Sequence, residues 1–118
     1  MDTAPRVAAE LTAEVEVVQG VGHITLAGQL DRNGEAALLD AYARAIATGA
    51  TEIDIDFAGV DYINSTGIAL VVRLLAEARR DQRTVRARGL SEHYRQIFTI
   101  TRLSDFMTIV DDEEADQT

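Results

Sequence analysis

Polar and apolar residues alternate along this chain in two rhythms. Glu14 to Gln19 (EVEVVQ) and His23 to Leu30 (HITLAGQL) repeat every second residue, the period of half-buried strands. Gly20-Val21-Gly22 between them predicts a tight turn and a hairpin. Glu52 to Phe57 (EIDIDF) alternates strictly, which sets Ile53, Ile55 and Phe57 on one face and Asp54 and Asp56 on the other. Helical spacing takes over in two places. Glu35 to Thr48 brings Leu38, Leu39, Tyr42 and Ile46 together, with Gly49 as its end. From Ser65 onward, Ile68, Leu70, Val71, Leu74, Leu75 and Ala78 form a wide apolar stripe.

Shorter signals complete the chain. Asp31-Arg32-Asn33-Gly34 breaks the second strand and offers Asp31 or Asn33 as a cap. Ala58 to Ile63 reads as a connector, Thr84 to Arg88 as a short strand, Ser91 to Thr99 as a third helix, and Met107 to Val110 as a last strand. The predicted order is β-β-α-β-α-β-α-β, a single α/β domain with a mixed sheet of about five strands and helices packed on it. A helical crossover favours parallel pairing of the strands it joins. Residues 1–12 read as a loose arm, residues 13–110 as the domain, and residues 111–118 (DDEEADQT) as a disordered acidic tail.

Composition narrows the chemistry. The 118 residues contain no Cys, which excludes a disulfide, a thiolate metal site and a Cys nucleophile. The net charge of -9 argues against a general nucleic-acid binder. No apolar run approaches the about 18 residues that a membrane span needs, and MDTAPRVAAELTAEVEV lacks the basic-then-apolar order of a signal peptide. These features point to the cytoplasm and to no membrane partner. All 11 basic residues are Arg, and six of them lie between Arg73 and Arg88. That cluster reads as a solvated helix end or as a local basic patch for an acidic partner.

Motifs for catalysis are missing. With no Lys there is no P-loop, and no GxGxxG follows a strand, so no cofactor is expected. His23 and His93 lie far apart and both read as exposed residues, and no metal or catalytic constellation is suggested. Asp54 and Asp56 form a DxD, a pattern too common to specify a cation. The remaining feature is Asn64-Ser65-Thr66-Gly67, where the chain passes from Ile63 into the long helix. Asn64 or Ser65 serves as the cap. A second hydroxyl beside the cap has no structural task. A helix N-terminus favours anions, so a phosphate on such a hydroxyl is tolerated and adds about -1.5 to -2 charge at an exposed tip.

Three segments carry a family resemblance. GQLD (Gly28 to Asp31), DFAGVDYINSTG (Asp56 to Gly67) and IFTITRL (Ile97 to Leu103) resemble, in order and spacing, the motifs of STAS domains of the bacterial anti-sigma factor antagonist type. The resemblance covers about Glu14 to Val110. It implies a regulator and not an enzyme. The partner would be an anti-sigma factor that is also a GHKL-type serine kinase, with a PP2C-type phosphatase resetting the switch. It also implies phosphorylation of Ser65, the first hydroxyl after the family's Asp. The partner-binding surface would comprise Asp31, Arg32 and Asn33 with Asn64, Ser65, Thr66 and Gly67. Two residues depart from the pattern. Asn64 replaces the usual Asp, which removes a carboxylate and keeps a cap. Arg102 replaces a usual Gly, at a cost on the order of 1 kcal/mol if the backbone there is left-handed. Two alternatives stay open: a STAS scaffold or signalling adaptor without phosphorylation, and a small metal- or nucleotide-handling enzyme built on Asp31, Asp54 and Asp56.

Overall fold

A computed structural model describes residues 10–110. The expected disordered tail, 111–118, and most of the expected arm lie outside the described residues. The elements are β1 (Thr12–Val18), β2 (Val21–Leu30), a 3-10 turn (Arg32–Gly34), α1 (Glu35–Ala47), β3 (Glu52–Ile63), α2 (Ser65–Arg80), β4 (Thr84–Arg88), α3 (Glu92–Ile100), a second 3-10 turn (Leu103–Asp105) and β5 (Thr108–Ile109). Before β1, Leu11 is buried in the core and Glu10 bridges to Gln29.

The sheet order is β1-β2-β3-β4-β5, the same as the order along the chain. β1 and β2 form an antiparallel hairpin; β2, β3, β4 and β5 run parallel. Crossovers that advance in one direction and share one hand must lie on one face of the sheet. Accordingly, one core cluster joins Ile24, Ile53, Ile55, Phe57 and Val85 of the sheet to Leu38, Leu74 and Phe98 of the three helices. Phe57 and Phe98 meet edge to face, with centroids 5.8 Å apart. The opposite face carries the alternate residues, among them Glu14, Glu16, His23 and Thr25, all exposed.

Three local expectations are corrected. The hairpin turn is Gln19-Gly20, with φ of 52° and 83°, and Val18 faces Val21. Positive φ at both positions gives the primed turn whose twist suits a two-residue hairpin. Gly22 instead lies inside β2, where an added Cβ would stand 2.9 Å from the Ala45 Cβ. Second, Ala58 to Ile63 is not a connector but the second half of β3. Two register shifts against β2 absorb the small residues there, so pairing survives although alternation is lost. Third, Asp54 is not a solvated residue of the polar face. It is 7% exposed and receives two hydrogen bonds from Arg88, from Nε and a terminal nitrogen, each at 3.0 Å. The bidentate guanidinium is what lets a carboxylate sit at that depth.

Where α1, α2 and β4 converge, the buried Tyr42 donates to Asp81 at 2.8 Å. Arg83 donates to the carbonyls of Ala50 and Asp81 at 2.8 and 3.0 Å. Burial, then the bond to Asp81, raises the Tyr42 pKa above its ordinary value. The folded state therefore keeps a proton that the unfolded chain loses near pH 10, and this contribution to stability falls as pH climbs past that point. Tyr42→Phe removes the donor alone and is expected to cost about 0.5–1.5 kcal/mol at neutral pH, measured by denaturant titration. An unchanged midpoint would show that the bond contributes nothing net.

Candidate functional site

The parallel strands all end on one side of the domain, and in open α/β sheets that is where sites form. Leu30 closes β2 and leads into Asp31; Ile63 closes β3 and leads into Asn64. Leu30 and Ile63 are register partners, so the two candidate segments start side by side. The Asn64 N–H donates to the Leu30 carbonyl at 3.3 Å, and the Ile63 N–H donates to the Tyr94 hydroxyl at 2.9 Å. One turn into α2, Gly67 packs against Leu30 so closely that an added Cβ would overlap the Leu30 carbonyl oxygen. The tip is thus pinned from β2, from α3 and along its own helix.

Within this frame each residue has a place. Asn64 is the cap: its backbone is extended and its side-chain oxygen accepts from the Gly67 N–H at 2.8 Å. This settles the choice between Asn64 and Ser65. Asp31 plays the same part in its own turn, accepting from the Asn33 N–H at 3.0 Å. Arg32 and Asn33 are exposed beside it. Ser65 and Thr66 are exposed, and the Ser65 hydroxyl makes no hydrogen bond among the described residues. The first turn of α2 holds no acidic residue, so the positive end of the helix is uncompensated by its own side chains. The structure therefore brings the seven sequence-selected residues to one end of the domain. Gly67 alone of the seven is buried.

Sequence reasoning missed Tyr94 and Leu30 as supports of the tip. The Tyr94 bond spans 31 residues, and no local pattern announces it. Arg102 is left-handed, with φ of 69° and ψ of 15°, as a Gly at that position would be. Its guanidinium donates to Asp105 at 2.8 Å, an exposed pair that raises the Arg102 pKa.

Asn64→Ala removes the cap and is expected to cost about 1 kcal/mol. Asn64→Asp keeps the acceptor and adds a charge favoured at this helix end, so it is expected to be neutral or slightly stabilising. Thermal melts of the two variants side by side check the pair. Equal losses would mean that the Asn64 side chain is not the cap.

The carboxylates of the enzyme alternative each have a hydrogen-bonding partner of their own. Asp31 caps its turn, Asp54 is held by Arg88, and Asp56 accepts from the Ala58 N–H at 2.9 Å. No group of three or more His, Cys, Asp or Glu side chains suited to a metal ion exists among the described residues. Among the described residues, no helix is long and apolar enough to cross a membrane.

Comparison with known proteins agrees with this geometry. A family model described as "Mlab, STAS domain" matches residues 13–111. Among curated proteins, an anti-sigma-B factor antagonist of Staphylococcus epidermidis is 29% identical over 68 residues, which is 58% of this chain and 63% of that protein. The match thus spans less than two thirds of that relative's length. Among solved structures, an anti-sigma factor antagonist from Mycobacterium paratuberculosis superposes with a TM-score of 0.68 at 22% identity, covering 92% of this chain and 93% of that one. The unphosphorylated form of the anti-sigma factor antagonist SpoIIAA gives 0.67 at 23% identity, covering 90% and 96%. Its phosphorylated form gives 0.66 at 22%, covering 90% and 97%. The match to the family model covers most of the chain and the solved antagonists share its fold, so this protein belongs to the STAS domain family.

Proposed function

We propose that this protein is a partner-switching regulator of the anti-sigma factor antagonist kind, acting in the cytoplasm without catalysis of its own. In this reading the unmodified tip binds an anti-sigma factor that is also a GHKL-type serine kinase. Phosphorylation of Ser65 ends the binding, and a PP2C-type phosphatase reverses it. One observation carries the reading: the Ser65 hydroxyl is exposed, and unbonded among the described residues, on a tip whose cap is already supplied by Asn64. A hydroxyl with no structural task can be modified without unfolding the helix. Its position beside free N–H groups of the first turn suits the resulting dianion. The shared fold and the names of the relatives support the class of partner.

The test is to capture the partner with the unmodified protein, identify it by mass, and incubate the pair with ATP. The expected result is a kinase-bearing partner and phosphate on the peptide containing Ser65, not on Thr66. Phosphate confined to Thr66, or a captured partner without kinase activity, would overturn it. A second reading has its own support in Asn64, which meets the need for a cap without the carboxylate usual in the family. It makes the protein a scaffold or signalling adaptor that uses the same tip and is never phosphorylated.

A further inference from the structure

The outer side of α2 leads away from the tip. Ser65, Ala69, Val72, Ala76 and Arg79 recur at helical spacing and all are exposed. The line ends about 20 Å from Ser65, by helix rise alone. There a groove of about 360 Å³ opens between α2 and the turn that follows α3. Val72, Leu75, Leu103 and Phe106 give it an apolar lining, and Arg79 and Arg102 stand among them. Val72 and Phe106 are about half exposed, and Ile100 nearby in sequence is 76% exposed. Val72 and Phe106 thus stand half exposed at one groove over the buried Leu75 and Leu103, an arrangement that suits an interaction surface.

Charge narrows the occupant. The chain as a whole carries -9, yet this end of α2 is cationic. Arg102 is neutralised by Asp105. Arg79 is not neutralised: its guanidinium lies over the Phe106 ring, 5.4 Å from the centroid, and no carboxylate meets it among the described residues. An occupant must bring apolar side chains for the floor and acidic ones for the rim. A second copy of this chain meets neither need well. A twofold pairing of the groove sets guanidinium groups against each other, and α1, the other long helix, exposes no large apolar residue. The chain's own tail, DDEEADQT, has the charge but only Ala115 as an apolar residue.

We propose that this groove docks an acidic amphipathic helix of a partner protein, its apolar face on Val72 and Phe106 and its carboxylates on Arg79. Such a helix lays i, i+3, i+4 and i+7 side chains into a groove of this kind. This second contact lies away from the Ser65 tip and does not rest on the reading given for it. It therefore holds its ligand whether or not Ser65 is modified.

The probe is a synthetic peptide of about 18 residues, with leucine at i, i+3, i+4 and i+7 spacing and glutamate elsewhere. It is titrated by fluorescence anisotropy against the full chain. The expected result is saturable binding that Ser65→Asp leaves unchanged. Phe106→Ala and Arg79→Glu are each expected to weaken it about tenfold, or about 1.4 kcal/mol. Both replaced side chains are exposed, so both variants are expected to fold. A lysine version of the peptide should prefer the Arg79→Glu protein to the wild type. No binding of the glutamate peptide would overturn the proposal, as would binding that ignores both substitutions or the peptide's charge. A dimer dissociated by Phe106→Ala would assign the groove to a second copy. Binding about tenfold tighter in a chain lacking residues 111–118 would assign it to the tail.

Discussion

Gly67→Ala is expected to destabilise the domain by about 2–3 kcal/mol and to lower its melting temperature by about 10 °C. Two effects of opposite sign meet at this residue. Inside a helix, alanine is favoured over glycine by about 1 kcal/mol. Against that, the new methyl would overlap the Leu30 carbonyl oxygen, with the Leu30 carbonyl carbon at 2.9 Å and the Ile63 Cγ2 at 3.0 Å. The obstacle is chiefly backbone, the end of a strand paired to β3, and it has no rotamer to give way. Either α2 moves outward or the end of β2 is displaced, and the Asn64–Leu30 bond stretches in both cases. Overpacking against such a wall outweighs the propensity gain. Differential scanning calorimetry decides the sign: a melting temperature equal to or above that of wild type would show that the contact relaxes freely.

Ser65→Asp is expected to leave the fold intact and to weaken partner binding about a hundredfold or more. A carboxylate in the first turn gains about 0.3–1 kcal/mol from the helix dipole. No acid already sits there to repel it. At the interface the same charge must lose its water. A desolvated charge without a partner costs several kcal/mol, so the interface term dominates. Ser65→Ala separates the two roles. Because Asn64 is the cap and the Ser65 hydroxyl is unbonded, alanine is expected to change stability by less than about 0.5 kcal/mol and to leave binding in place. Thermal melts with isothermal titration against the captured partner compare all three proteins. Wild-type affinity in Ser65→Asp would remove the tip as a switch and favour the adaptor reading.

Much of this architecture was legible in the sequence because local pattern and global fold agree. Thr84 to Arg88 is a strand with the bounds its signals gave, and α2 follows its apolar stripe. The misses occur where tertiary contact overrides local pattern. Ala58 and Gly59 read as loop residues, yet Gly59 fits there because it passes close to the Leu26 carbonyl of β2. Asp54 shares the alternation of Asp56, but its burial depends on Arg88, 34 residues away. Half of the expected basic patch is likewise spent on pairs the sequence does not show: Arg73 with Glu35, Arg86 with Glu52, Arg88 with Asp54. At the site, residue types gave the tip and its exposed hydroxyls. They left the cap undecided between Asn64 and Ser65 and gave no sign of Tyr94.

Strand order that equals chain order also has a temporal meaning. Each new strand docks beside the one made just before it, so no segment waits for a distant partner to be synthesised. Pairing with the strand made just before closes a shorter loop than pairing with a more distant one, so less loop-closure entropy opposes each step. The Leu30–Asn64 bond needs only β2 and β3, so the tip is nearly complete once α2 has emerged. Pulse-labelled hydrogen exchange during refolding should therefore protect β2 and β3 before the short edge strand Thr108–Ile109.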